Sequence, residues 1–274
     1  MTDTALNFIS PPIGEVAYSV QFEPLGQFHL GFIGLLWGER YRQDYPSIEH
    51  DEMLSHEIER FGAKNLNRLF PRFELLDSIP VPRIKMINPD SDRFIQIQKD
   101  RFVFNWRKAP GKDTVYPRYH TLKSMFSSEL EKFESFVSAN QLGFLKFNQI
   151  EITNVNYIPA ETYSFSEVFN GLTCGTSLPC SDLKEETFAY QIRHVIYSEH
   201  KPIGRLYTNI TKENKVSDGS EVFVLRLTAR AHPVAQDRAS AMDTLDALRA
   251  HINLSFDSFT SEKMHNLWGK ENHK

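Results

Sequence analysis

Apolar and polar positions alternate along much of the chain, with two periods. From Glu15 to Glu23, Val16, Tyr18, Val20 and Phe22 fall on one side, and Glu15, Ala17, Ser19, Gln21 and Glu23 on the other. Period two over this length predicts a half-buried strand. Arg93–Gln98 and Arg101–Arg107 repeat the pattern with only Lys99-Asp100 between them, which predicts a hairpin. Its one face is large and apolar (Ile95, Ile97, Phe102, Phe104, Trp106), and its other carries amides and guanidinium groups. Lys146 to Ile158 reads as a further strand, Phe188–Tyr197 and Ile203–Thr211 as a hairpin around His200-Lys201-Pro202, and Glu221 to Ala231 as a third strand of the last third.

The second period is helical. Leu122, Met125, Phe126, Leu130, Phe133 and Val137 recur every three or four residues within His120–Ser138. Met242, Leu245, Leu248, Ile252 and Phe256 do so within Asp237–Phe256, and Phe259–Trp268 predicts a short terminal helix. Leu25 to Tyr41 reads as a helix weakened by Gly31, Gly34 and Gly38. Asp44 to Lys64 is polar and reads as part helix or loop, Phe70 to Pro82 as extended chain carrying three prolines. Ala160 to Asp182 is the best junction, with a short helix near Ser164–Asn170.

Strand runs followed by one long helix occur twice. They imply an α+β fold: antiparallel sheet with long helices packed on one face, in two strand-helix halves. The halves are residues 1–160 and 161–274, the second a three-stranded antiparallel sheet plus helix, packed together. Whether they share one sheet is open at this stage.

Composition narrows the class. The 274 residues are 41% hydrophobic and 12% aromatic, with 31 basic against 35 acidic side chains and a net charge of −4. That is globular, and long enough to fold without disulfides or metal. The longest apolar run, Phe32–Trp37, is far short of the roughly 20 residues a bilayer span needs, so no membrane association is expected. Met1 to Ser10 holds no Lys or Arg, unlike a secretory leader, and the expectation is a cytoplasmic protein. Cys174 and Cys180 have no histidine within ten residues and read as free thiols.

A phosphate-binding P-loop, a G-x-G-x-x-G turn and a G-x-S-x-G elbow are all missing, and His56-Glu57 lacks the second histidine of H-E-x-x-H. No cofactor or metal is therefore expected. The carboxylates cannot be paired from sequence. Charge is locally uneven, however: nine basic residues against four acidic between Arg83 and Tyr119, and six acids with no Lys or Arg between Gln43 and Glu59.

The most informative constellation lies on strands. Arg205, Tyr207 and Asn209 share one side of their strand, Arg226, Thr228 and Arg230 one side of theirs, and Gln191 and Arg193 one side of a third. If those sides coincide, a sheet face presents four arginines, whose planar forks suit carboxylate or phosphate. Arg101, Asn105 and Arg107, with Gln96 and Gln98, offer a second such face on the first hairpin. An antiparallel sheet also commonly leaves one face to water, where arginines need no ligand.

Several segments are familiar as text. They are Pro11-Pro12-Ile13-Gly14-Glu15-Val16, the run Gln98-Lys99-Asp100-Arg101-Phe102 into Asn105-Trp106-Arg107, Gly204-Arg205-Leu206-Tyr207-Thr208-Asn209-Ile210, and the ending from His251-Ile252 to Trp268-Gly269. Together they resemble a sporadically distributed bacterial protein family without an assigned activity. The resemblance implies a bacterial cytoplasmic protein, encoded on mobile or defence-related gene islands, and carries over no catalytic residue. The leading expectation is a non-catalytic binding protein that recognises a protein partner or an anionic ligand through Arg193, Arg205, Tyr207, Asn209, Arg226, Arg230, Arg101, Asn105 and Arg107. The alternative is an enzyme acting on a phosphorylated or nucleotide-like substrate, with Tyr207, His194 or Glu151 moving protons. DNA binding through Arg83–Tyr119 is the weakest reading, and the oligomeric state stays open.

Overall fold

The computed structural model describes residues 7–56, 58–62, 82–109, 111, 112, 114–172, 186–215 and 218–271. In chain order the elements are β1 (Asn7–Phe8), β2 (Ile13–Phe22), α1 (Leu30–Leu36, continued by a π turn at Trp37–Tyr41), β3 (Ser47–Asp51), β4 (Arg83–Ile87), β5 (Arg93–Gln98), β6 (Arg101–Arg107), α2 (Tyr119–Ala139), β7 (Phe147–Pro159), α3 (Phe165–Val168), β8 (Ala189–Ser198), β9 (Lys201–Asn214), β10 (Glu221–Ala231), α4 (Arg238–Phe259), α5 (Glu262–Leu267) and β11 (Lys270–Glu271).

Nine of these strands form one antiparallel sheet in the order β3-β4-β5-β6-β2-β7-β10-β9-β8, and β1 pairs with β11. The fold is α+β, and strands from both sides of residue 160 lie in a single sheet. The junction is the long β7–β10 ladder, which runs from Val222 opposite Pro159 to Ala231 opposite Ile150. β2 sits mid-sheet between β6 and β7. Among the described residues no helix is long and apolar enough to cross a membrane.

The apolar stripes of the central strands meet helices. Phe102 stacks on Phe133 of α2 at 5.6 Å between centroids, Tyr18 meets Phe126 at 5.6 Å, and Phe22 and Phe28 close on Phe133 at 5.9 and 6.0 Å. α4 packs against β10 and β7, burying Leu245, Leu248 and Ile252. Each such fully buried side chain is worth about 1.5–3 kcal/mol. The helices are tied together by Asp246, which accepts from Tyr119 Oη at 2.6 Å and Lys123 Nζ at 2.7 Å.

Several boundaries differ from the sequence reading. The Lys99-Asp100 hairpin forms, with Gln98 opposite Arg101. The second hairpin turns one residue earlier, at Glu199 and His200, both at positive φ, and Pro202 falls inside β9. That pair of left-handed residues suits the twist of the flanking strands. Helix α1 begins only at Leu30, and α5 only at Glu262, after Thr260 and Ser261 break the run from α4. Within the polar stretch 44–64, Ser47–Asp51 is a strand, paired through charges: Lys85 Nζ reaches Glu49 at 2.8 Å and Arg83 Nη2 reaches Asp51 at 3.5 Å. The cysteines Cys174 and Cys180 lie outside the described residues, as does nearly all of the Phe70–Pro82 segment.

Candidate functional site

The ladder registers decide which side chains share a face, because residues directly opposite in a sheet point the same way. Arg226, Asn209 and Gln191 form one row across β10, β9 and β8; Thr228, Tyr207 and Arg193 form the next; Arg230 and Arg205 stand in a third. Arg230 is opposite Glu151, Glu151 opposite Ser19, and two residues along, Gln149, Gln21 and Arg101 line up. Asn105 and Arg107 follow on β6 opposite Ala17 and Glu15. All nine candidate residues therefore stand on one face of one sheet.

Part of that face is covered by the chain itself. Residues 52–56 and 58–62 cross it as an irregular strap held chiefly by side chains of the sheet. Gln98 grips Leu54 twice, accepting from its N–H at 3.1 Å and donating to its carbonyl at 3.0 Å. Arg101 Nη2 donates to the Ser55 carbonyl at 3.0 Å, and His56 Nδ1 lies 2.5 Å from Asp100 Oδ2. Further along, Glu59 N–H donates to Gln149 Oε1 at 2.8 Å, and Arg205 Nη2 donates to the Arg60 carbonyl at 2.7 Å. The Phe61 ring lies 4.6 Å from the Arg205 guanidinium carbon.

The anchor is the Glu59 carboxylate. Its Oε2 accepts from Arg205 Nη1, its Oε1 accepts from Tyr207 Oη at 2.6 Å, and Arg230 Nη1 stands 3.9 Å from Oε1. Only 6% of its side chain is exposed, against 13% for Arg205. Burial, and then the hydrogen bond to Glu59, push the Tyr207 phenol above its ordinary value, so it stays a donor. Arg230 also donates through Nε to Glu151; burial works against its charge, but Glu151, Tyr207 and Glu59 together outweigh it and raise its pKa. His232 faces two acceptors, the Asn148 carbonyl at Nδ1 and the Glu59 carbonyl at Nε2, each at 2.7 Å.

The remaining candidates divide. Asn105 donates to Glu15 at 2.8 Å and accepts from Gln96 at 2.7 Å. Arg107 donates to the Ser91 carbonyl and lies over Phe94 at 5.1 Å. Asn209 accepts from Gln191 at 2.8 Å. Among the described residues, Arg193 and Arg226 are exposed and make no ion pair.

The groups named for proton transfer do not assemble. Tyr207 and Glu151 are on the strap face, engaged as above, whereas His194 is opposite Leu206 on the other face, near the Phe259 ring at 6.4 Å. Thr260, His265 and Asp257 do line up as hydroxyl, imidazole and carboxylate, at 2.7 and 3.6 Å. Yet Thr260 is fully buried and donates to the Phe256 carbonyl at 2.5 Å, so this is a helix-end brace. No group of three or more His, Cys, Asp or Glu side chains among the described residues could hold a metal. Glu59, Gln149 and His232 went unnoticed in the sequence. The one sequence signal for Glu59 was its place at the end of the acidic run, opposite a basic sheet. Compared with family models and with curated proteins, the chain matches none.

Proposed function

We propose that the protein is a non-catalytic binding protein of the bacterial cytoplasm, one whose polar sheet face recognises an extended acidic segment of a protein partner. In this reading the long helices of both halves back the opposite face, and the gene belongs to a mobile or defence-related island. The observation that carries it is the strap. Gln98, Arg101, Gln149, Arg205 and His232 all bond to main-chain atoms of one irregular segment, and Arg205, Tyr207 and Arg230 surround one carboxylate within it. Such contacts are tolerant of side-chain identity except at the acidic position, as peptide recognition requires. The strap is then an internal occupant that a partner's acidic segment displaces, and exposed Arg193 and Arg226 extend the cationic surface for its first encounter.

The test is binding in trans. A fluorescein-labelled peptide with the sequence of residues 52–62 is titrated against the wild type and against Glu59→Arg, which repels Arg205 and Arg230 and frees the strap. Anisotropy should show the variant binding at least about tenfold tighter than the wild type, and a peptide with Gln at the Glu59 position binding neither protein. A folded Glu59→Arg protein that ignores both peptides would rule the reading out.

A further inference from the structure

On the opposite side of the sheet lies a cavity of about 390 Å³, within the size range of small-molecule sites. It opens between β2, β7, the start of α2, and α4, and none of its lining belongs to the strap face. Two of the residues that line it carry orphaned polar atoms. Tyr18, only 1% exposed, has a hydroxyl with no hydrogen-bond partner, and Asn154 Oδ1 is buried without one as well. Buried groups of this kind are rare in native proteins, and each costs about 1–3 kcal/mol. Tyr18 is held protonated by burial, so it offers a hydrogen rather than a charge.

The rest of the wall defines what would satisfy them. Its cations are Arg118 and Arg249, its one carboxylate is Glu271, and the first turn of α2 enters it with neither a side-chain cap nor an acidic residue. An uncapped helix start carries partial positive charge and free N–H groups. Arg249 is poised over the Tyr119 ring at 4.3 Å. Arg118, the residue just before the helix, sits at φ 74° and ψ 160°, a region close to glycine-only, and is pinned there by donating to the Phe8 and Ile9 carbonyls at 2.7 and 3.2 Å. Tyr116, Tyr119 and Phe256 supply aromatic walls.

We infer that this cavity binds a small planar ring bearing an anionic group, which accepts from Tyr18 and faces Arg249 and the α2 terminus, and a hydrogen-bond donor that reaches Asn154. The anion is a carboxylate or a phosphate, and the probes separate the two. The full-length wild-type chain is titrated calorimetrically with 4-hydroxybenzoate, with adenosine monophosphate and with inorganic phosphate. At least one ring-bearing anion binds, and phosphate alone does not. Tyr18→Phe, which deletes only the orphaned hydroxyl, weakens that binding about tenfold or more while its melting temperature stays the same or rises, and Arg249→Gln weakens it likewise. Failure of all three probes at about 1 mM, phosphate binding as well as the rings, or unchanged affinity in Tyr18→Phe would each overturn the assignment.

Discussion

Deleting the Glu59 carboxylate should release the strap, and the cost can be worked out from its surroundings. Removing one partner of a buried ion pair typically costs about 3–5 kcal/mol, because the other charge is left uncompensated. Arg205 would be that charge, with 13% of its side chain exposed, and Tyr207 would lose its acceptor too. Arg230 is less affected, since Glu151 still holds it. Glu59→Ala is therefore expected to lose about 3 kcal/mol, near the lower end of the range. At ~2–4 °C per kcal/mol for a chain of this size, the melting temperature falls by about 6–12 °C. Urea unfolding gives the energy, and a double-mutant cycle with Arg205→Ala gives the coupling. If the pair anchors the strap, the two losses fall short of additivity by at least about 1.5 kcal/mol. Additive effects, or a single-variant loss under about 0.5 kcal/mol, would show that the carboxylate is not what holds the strap against the sheet.

The exposed arginines should behave in the opposite way: Arg193→Ala with Arg226→Ala leaves the urea midpoint within about 0.5 kcal/mol of wild type, because neither side chain has an ion pair to lose. Gly204→Ala should cost about 2 kcal/mol or more, since the added Cβ would collide with the Arg230 carbonyl on the neighbouring strand, and circular dichroism during urea unfolding checks it. Phe133→Ala removes a ring that touches Phe22, Phe28 and Phe102, and is expected to lower stability by about 3–5 kcal/mol on the same scale. Burial holds His265 below its ordinary value of 6.5, with Lys270 adding to the effect. The unfolded chain thus takes up the proton first, so the stability this histidine provides is complete above about pH 6.5 and declines as the pH falls through its folded value. Urea midpoints measured from pH 7 down to pH 5 should show that decline, and His265→Gln should flatten it.

How much of this was legible depends on what kind of order each part has. The strands of β2, β5, β6, β9 and β10 announce themselves because one face of each is buried in apolar core, and burial on one side imposes period two. The same logic put Arg205, Tyr207 and Asn209 together, but whether they would meet Arg230 and Arg101 turned on ladder register, which depends on pairing between segments far apart in the chain. β3 had no signal at all: its five residues are exposed and joined to β4 partly by ion pairs, so alternation never appears. Tyr18 was readable only as a core aromatic, since an orphaned hydroxyl is a property of the cavity around it and not of its position in a stripe.

The strap was the least legible part, for a physical reason that also bears on its role. Gln21, Gln96, Gln98, Arg101, Asn105 and Gln149 are all buried, an unusual load for the second face of an antiparallel sheet. Water would normally satisfy such groups, and once it is excluded each needs a partner in the protein. They bond partly to one another, as Gln96 does to Asn105 and Gln149 to Gln21, partly to other side chains, as Asn105 does to Glu15 and Gln98 to Asp100, and Gln98, Arg101 and Gln149 also bond to main-chain atoms of the strap. An irregular segment bound in this way has no hydrophobic period to display, because it is held largely through its backbone, the Glu59 carboxylate and single contacts of His56 and Phe61. The same property separates the two explanations for the strap. A purely structural cover would be held best by apolar side chains inserted into the sheet, whereas here the sheet is built to hold a polar backbone and a carboxylate. Exchange with a similar segment of another chain would leave every one of those bonds intact.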